Sequence, residues 1–457
     1  MFVAYATMLL SSLMSLLKQI DPVLLAGAKE IVQDLRGSGH EALFAGGVVR
    51  DLLLKRNIAD IDIATSAHPS QVETLFEKTI PIGREFGVVI VVTNSTNYEV
   101  TTFRIDTGYT DGRHPDGVLF SSASEDALRR DFTINALFMD PFTEEIVDSI
   151  GGRVDLERRI VRTVGDPEQR FSEDRLRLVR AIRFAAELGF GIEEETLFAI
   201  NENACHIQQV SQERIRDELL KMLTGPAPER ALLLLSETGL LSPILPEIAA
   251  MEGIPQPPRY HPEGDVFTHT LKMFELAKDP TETLALGILL HDVGKPPTLT
   301  VEDRIRFHGH AEVGARMAAD ICQRLRLPNN TSAQVVDLVA DHLRFMHVKE
   351  MRESTLKRFL SKENFPEHLE LHRLDCLGSH EDLSNYDFCH EKMMEFSQET
   401  IPPEPLVSGH DLIAMGLTPG PIFSEILEAL EDKQLEGQLT SRDEALEWVR
   451  GKWLPNT

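Results

Sequence analysis

The chain has 457 residues, 42% of them hydrophobic and 26% charged. This ordinary globular balance excludes collagen-like, low-complexity and wholly disordered chains, and the length allows about two to four domains. Lys and Arg number 46 against 73 Asp and Glu, a formal net charge of −27. The bulk field therefore repels nucleic acid, and a polyanion needs a local basic surface or a bound metal.

Four cysteines, Cys205, Cys322, Cys376 and Cys389, are too few and too scattered for a disulfide framework, and none forms a CxxC pair. That usage fits a reducing cytoplasm. The opening MFVAYATMLLSSLMSLL is apolar but has no basic flank and no clear cleavage site. It falls short of the roughly 18–20 uninterrupted apolar residues of a span. It is expected to be an amphipathic first helix, or to precede a true start at Met8 or Met14. No later stretch is long and apolar enough for a bilayer.

Residues 22–38 predict a helix ending at Gly37. EALFAGG, VVRDLLLKRN and IADIDIAT then predict strand, glycine turn, helix start and strand. GVVIVVT and NYEVTTFR, rich in β-branched residues, predict two more strands. Residues 125–137 and the chain from Pro167 onward read as helical, with no convincing strand after about residue 165. Pro-rich punctuation at LSPILPE and GIPQPPRYHPEG marks one linker region, and IPPEPLVSG near Pro402 another. The last fifty residues read as one or two acidic helices. No internal repeat is evident.

The sharpest local feature is GGVVRD followed by DID. Gly46 and Gly47, between a strand and a helix start, let backbone N–H groups approach a phosphate that Arg50 also faces. Asp60 and Asp62 are two apart, so on a strand they project from one face. Paired carboxylates repel unless a cation lies between them, and Mg²⁺ is the oxygen-loving candidate. Glu99, from a neighbouring strand, is a third carboxylate for the same cradle, able with the pair to serve two-metal phosphoryl chemistry. In RRDFTINA, Arg129 and Arg130 offer planar forks to phosphate oxygens. Asp131 and Asn135, four apart, share a helix face suited to a ribose or amide edge.

GGVVRD, DID, TTFR, RRDFTINA and the later SEDRLRLVRAIRF together resemble the class II tRNA nucleotidyltransferases, the CCA-adding enzymes grouped with bacterial poly(A) polymerases. The resemblance covers about residues 25–225, with five motifs in the family's order. It implies an α+β fold: a polymerase-β-like head followed by an all-helical body. It implies Asp60 and Asp62 as metal ligands, Arg50 near the triphosphate, and Asp131 and Asn135 near the sugar. It implies tRNA, CTP and ATP as partners, with C, C and A added to a tRNA 3′ end and pyrophosphate released.

SEDRLRLVRAIRF has its own chemistry. Ser172 suits an N-cap, with Glu173 and Asp174 in the first turn. Asp174 and Arg177, three apart, neighbour each other on a helix. A carboxylate accepts hydrogen bonds and a guanidinium only donates them. Cytosine and adenine each present an amino donor beside a ring-nitrogen acceptor, whereas guanine and uracil present the reverse. An Asp–Arg pair can thus accept C and A and reject G and U. An ordinary ion pair such as Glu173–Arg177 at i,i+4 is the alternative, and the resemblance implies base selection. Arg177, Arg180 and Arg183 continue as a stripe, a local basic face for phosphates or an acceptor stem. SQERIRDELLKML reads as a supporting helix.

Within the family that the motifs resemble, Glu85 and the non-basic run after it look more like CCA-adding enzymes than poly(A) polymerases, and the polar loop DTGYTDGRHPDGVLF is similar to the loop that goes with complete CCA addition, which the resemblance thus implies over CC alone. Addition of A alone, and poly(A) synthesis, remain open. So does a reading from another class, an RNA-binding or nucleotide-sensing module in which only the second constellation below is catalytic.

That constellation runs His269, then His291 and Asp292 in HDVGK, then His310, His342 and Asp375. The order H…HD…H…H…D resembles HD-domain phosphohydrolases over about residues 260–380. Six nitrogen and oxygen ligands suffice for two ions bridged by Asp292. Imidazoles favour a transition metal, Mn²⁺, Fe²⁺, Co²⁺ or Ni²⁺, over Mg²⁺. His261, His308 and His347 read as bystanders. The expected organisation is an extension (1–21), a nucleotidyltransferase head (22–165), a neck (166–250), an HD domain (251–400) and a helical tail (401–457), cytoplasmic and without membrane contact.

Overall fold

The computed structural model describes residues 15–83, 86–108, 117–396 and 404–454. Nearly all of the apolar opening segment, Glu85, residues 109–116 of the polar loop and Pro402 lie outside the described residues. The chain divides into two compact units, Met1–Pro246 and Glu247–Thr457.

The first unit is built on a mixed sheet. Its strands are β1 (Ala42–Ala45), β2 (Ile63–Thr65), β3 (Thr79–Ile80), β4 (Val88–Thr93), β5 (Thr96–Thr102), β8 (Phe138–Met139) and β9 (Ile146–Val147), in the order β3-β4-β5-β2-β1-β8-β9. A separate hairpin pairs β6 (Arg104–Thr107) with β7 (Gly117–Phe120). It brackets the polar loop noted in the sequence. The helix Pro22–Gly37 starts where predicted, because Asp21 accepts from the amides of Val23 and Leu24 and Pro22 occupies the first turn. It buries Ala28, Ile31, Val32 and Leu35, and Tyr98 Oη of β5 donates to its Leu24 carbonyl at 2.9 Å. The β4–β5 hairpin turns at Asn94 and Ser95, with φ of 50° and 62°. Those are the left-handed values a two-residue turn requires.

The α+β organisation holds, with local corrections. Asp60 and Asp62 precede β2 rather than lying in it, although Ala45 N donates to Asp62 O at 3.0 Å and extends the ladder to that residue. The helix expected over 125–137 spans only Ala123–Arg129, followed by a 3₁₀ turn at Thr133–Asn135. Asp131 Oδ1 accepts from Phe132 N at 2.8 Å, a local bond that competes with helix continuation. Ser172 is not an N-cap. The helix Pro167–Glu173 begins at Asp166, whose side chain accepts from Glu168 N, and a second helix spans Leu176–Leu188. Asp-Pro upstream is the stronger start signal. Finally, short strands do follow residue 165: Gly191–Ile192 pairs with Ile160–Val161, and Leu299–Val301 pairs with Ile305–Phe307.

Among the described residues, the second unit has no strands beyond that last hairpin and is otherwise built of helices and loops. Its central helix, Glu282–Leu290, is buried at every position from Thr283 to Leu290. Against it pack the helices Val266–Leu276, Asn329–Asp341 and Phe365–Gly378. Gly294 lets two segments meet, because a Cβ there would lie 2.1 Å from His310 O. The end of the chain forms three helices rather than one or two: Gly409–Ala414, Pro421–Leu435 and Arg442–Trp453.

Candidate active site and candidate metal centre

The first unit holds a cavity of about 770 Å³. Among its lining, Asp60, Asp62 and Glu99 form one group, Gly46, Gly47, Arg50, Arg129 and Arg130 another, and Asp131, Asn135, Asp174, Arg177, Arg180 and Arg183 a third. Parallel pairing of β2 with β5, Ile63 opposite Val100, brings Glu99 beside the entry to β2. Burial first, then Glu99 and Asp60, pushes the Asp62 carboxyl up to about 7, with Arg130 opposing. Three carboxylates in mutual repulsion form a donor set that fits a hard divalent cation.

Gly46 takes φ 71° at the start of the helix Gly47–Leu53, and a Cβ there would lie 2.7 Å from Arg130 Nη1. Arg50, 6% exposed, donates to Asn135 Oδ1 at 2.6 Å and to Asp51 at 2.8 and 2.9 Å. Arg130 pairs with Asp126 at 3.1 Å and donates to the Asn135 carbonyl at 3.0 Å. Asp131 and Asn135 do meet, at 3.1 Å, but through the 3₁₀ turn rather than a helix face. Burial acts to raise the Asp131 carboxyl. Arg180, bonded to its Oδ2 at 2.6 and 2.9 Å, and Asn135 outweigh burial and hold the group well below the usual carboxylate range.

Asp174 and Arg177 are arranged differently from expectation. Arg177 Nη1 donates to Glu173 Oε2 at 2.7 Å and to the Arg170 carbonyl at 3.0 Å. Asp174 is gripped by Arg214 at 2.7 and 3.1 Å. Nor is the stripe of Arg177, Arg180 and Arg183 an open basic face. Arg183 meets Glu218 at 2.6 Å and Glu187 at 2.9 Å, and Arg180 meets Asp131. Guanidinium groups withdrawn from water require such counter-charges. Arg214 and Glu218 both come from the helix Gln212–Leu223, read from sequence only as support. Arg104 and Lys221 also line the cavity unforeseen.

In the second unit, His269, His291 and Asp375 form one triad and Asp292, His310 and His342 another, the ligand atoms of each within 4.8 Å of one another. Nδ1 of His291, His310 and His342 each faces a carbonyl, of Ile288, Phe307 and Val339, at 2.7 to 2.9 Å. A carbonyl only accepts, so Nδ1 carries a proton and Nε2 is the ring atom left to ligate a metal. His291 Nε2 is buried without a hydrogen bond. Asp292 Oδ2 lies 3.1 Å from His291 Nε2, while Oδ1 lies 3.5 and 3.9 Å from His310 and His342 Nε2, so one carboxylate addresses both triads. These donors fit two transition-metal ions.

Supporting contacts are equally specific. His269 Nδ1 lies 2.8 Å from Glu263 Oε1, the carboxylate support common behind ligating histidines. Burial would lower the His269 imidazole, but Asp375 and Glu263 outweigh it and raise it to about 9. Burial lowers His342 to about 4. Lys295 Nζ lies 2.6 Å from Asp292 and 2.6 Å from Gln256. A cavity of about 660 Å³ opens onto Asp292, His310, His342 and Asp375. Read as a bystander, His261 instead shares Glu263 at 2.9 Å and lines this cavity. His347 is exposed beside Glu350. Glu263 carried no signal in the sequence beyond its place six residues before His269.

Family comparisons agree with this geometry. Residues 42–162 match the poly A polymerase head domain, 189–252 the probable RNA and SrmB-binding site of polymerase A, and 266–373 the HD domain. The fold and cavity thus define a nucleotidyltransferase head on a chain that also carries an HD-type unit. A CCA-adding enzyme of Lactobacillus johnsonii is 32% identical over 437 residues, 93% of this chain and 96% of that protein. The chain belongs to the CCA-adding enzyme family. Another such enzyme, from Geobacillus sp. strain WCH70, is 54% identical over 211 residues, but there the match spans 46% of this chain and 52% of the relative, about half its length. The crystal structure of the Bacillus stearothermophilus CCA-adding enzyme in complex with CTP superposes with a TM-score of 0.72 at 31% identity, covering 96% of this chain and all of that one.

Proposed function

We propose that the chain adds C, C and A to the 3′ end of tRNA from CTP and ATP, releasing pyrophosphate. The observation that carries this reading is one cavity lined by three carboxylates, a glycine turn with two arginines, and Asp174 with Arg177. In this reading Asp60, Asp62 and Glu99 hold Mg²⁺, which when bound supplies charge neutralisation and an activated attacking hydroxyl. Gly46, Gly47, Arg50 and Arg130 orient the triphosphate. Asp131, Asn135, Arg180 and Arg183 hold the sugar side of the nucleotide, and Glu173 braces Arg177 while Asp174 and Arg177 choose the base. Residues 22–165 serve as head, 166–250 as neck, 251–400 as the HD domain and 401–457 as the tail. The site of action is the cytoplasm. Among the described residues no helix is long and apolar enough to cross a membrane.

Purified protein incubated with tRNA lacking its 3′ end and each labelled nucleotide tests the reading. C, C and A should be added in order and synthesis should stop. A run of A would favour poly(A) synthesis, and no incorporation would overturn the assignment.

For the second unit, the paired triads support a metal-dependent phosphohydrolase acting on a phosphorylated or cyclic RNA end. A metal-loaded protein inactive on such phosphoesters would leave the triads a structural role.

A further inference from the structure

Arg214 approaches Asp174 from behind. Its Nη1 donates to Oδ1 at 3.1 Å and its Nη2 to Oδ2 at 2.7 Å, and Arg214 is not among the residues lining the cavity. Oδ1 also accepts from Leu176 N at 3.1 Å. A carboxylate oxygen offers about two acceptor directions, so Oδ1 is filled while Oδ2 keeps one direction open. Arg177 is fixed in a matching way. Its Nη1 is taken up by Glu173 and the Arg170 carbonyl, and Nη2 makes only a 3.4 Å contact with the Arg129 carbonyl. One acceptor direction and one guanidinium edge therefore remain for a base. The two-pronged grip of Arg214 decides where that acceptor points, because planar fork-to-carboxylate contact fixes rotation of the carboxylate plane.

We propose that Arg214 is a specificity-positioning residue: by gripping both oxygens of Asp174 it aims the remaining Oδ2 acceptor at the exocyclic amine of cytosine or adenine. This rests on the reading of Asp174 as the base-selecting acceptor. Without Arg214 the carboxylate plane is free to turn, and C and A lose their advantage over G and U. The position sits within SQERIRDELLKML, forty residues beyond Asp174, and nothing in its spacing announces the contact.

The test measures kcat/KM for CTP, ATP, GTP and UTP in the parent, R214Q, R214K and D174A, together with thermal melting and magnesium dependence. R214Q should lower the preference for CTP and ATP over GTP and UTP by about tenfold or more, with magnesium dependence unchanged. A purely structural role would lower stability and leave that ratio alone. R214K keeps the charge without the fork, so it should fold and lose part of the preference even where R214Q does not fold. Parent-like preference in folded R214K or R214Q, with D174A losing it, overturns the role of Arg214 and leaves Asp174 in place. Parent-like preference in D174A overturns the base-selection reading itself, and the proposal with it.

Discussion

His310 Nε2 and His342 Nε2 lie 3.2 Å apart, while the Nδ1 atom of each ring faces a main-chain carbonyl. Two neutral rings held this way turn lone pairs toward each other, an arrangement that repels until a cation lies between them. With Asp292 Oδ1 at 3.5 and 3.9 Å, the same point collects a third donor.

H342A is therefore expected to lose one of two transition-metal ions, and H291A/D292A to lose both while nucleotide addition survives. Elemental analysis of the purified proteins checks this. Chelation should also lower the melting temperature of the parent, since a ligand at about a thousandfold its dissociation constant adds about 4 kcal/mol. Equal metal content in parent and H291A/D292A would refute the ligand assignment.

Asp62 gives a pH signature. Its folded-state value of about 7 lies above the ordinary 3.8, so the stability its protonated form lends is full below about pH 4 and is lost as pH rises through 7. Without divalent metal, the parent should lose about 2–3 kcal/mol relative to D62N across that window, after allowance for partial exposure. Melting curves in chelator from pH 4 to 8 test this, and Mg²⁺ should restore the parent. D62N should also lose nucleotide addition by about a thousandfold, the worth of several kcal/mol of metal-borne stabilisation. Near-normal incorporation with normal magnesium dependence would sink the role.

D174A should admit GTP and UTP, changing discrimination by about tenfold to a hundredfold. Incorporation from single nucleotides measures it. R177A should have a parallel effect with little added loss of stability, because Glu173 keeps Arg170 at 2.8 Å.

G294A changes no ligand, yet its methyl would lie 2.1 Å from His310 O and 2.6 Å from Gly314 N. The helix that begins at His310 must then move outward. A cost of about 1–3 kcal/mol is expected, together with loss of metal from the Asp292, His310 and His342 triad. Calorimetry and elemental analysis on one sample would show whether the two effects coincide.

Much of this molecule is legible along the chain because its signals are local. Asp21-Pro22 starts a helix through its own cap. β-Branched runs make strands, and Gly46 stands where φ is 71°. Asp60, Asp62 and the HDVGK string announce chemistry through short spacings that place like groups together. The motif order by itself points to the family.

What spacing could not reveal is which charge answers which. Asp174 and Arg177 are three residues apart, yet each is held by another partner: Arg214, forty positions on, and Glu173. Asp131 is held by Arg180, and Arg183 by Glu218. A buried charge takes its partner from whatever element packs against it, and the packing of the helices Leu176–Leu188 and Gln212–Leu223 makes that choice. The same holds for Glu263 behind His269 and for the two faces of Asp292. Chain order supplies the reactive groups and the local elements that carry them. How those groups are paired, aimed and desolvated follows from packing, because those properties arise from contacts between residues far apart in the chain.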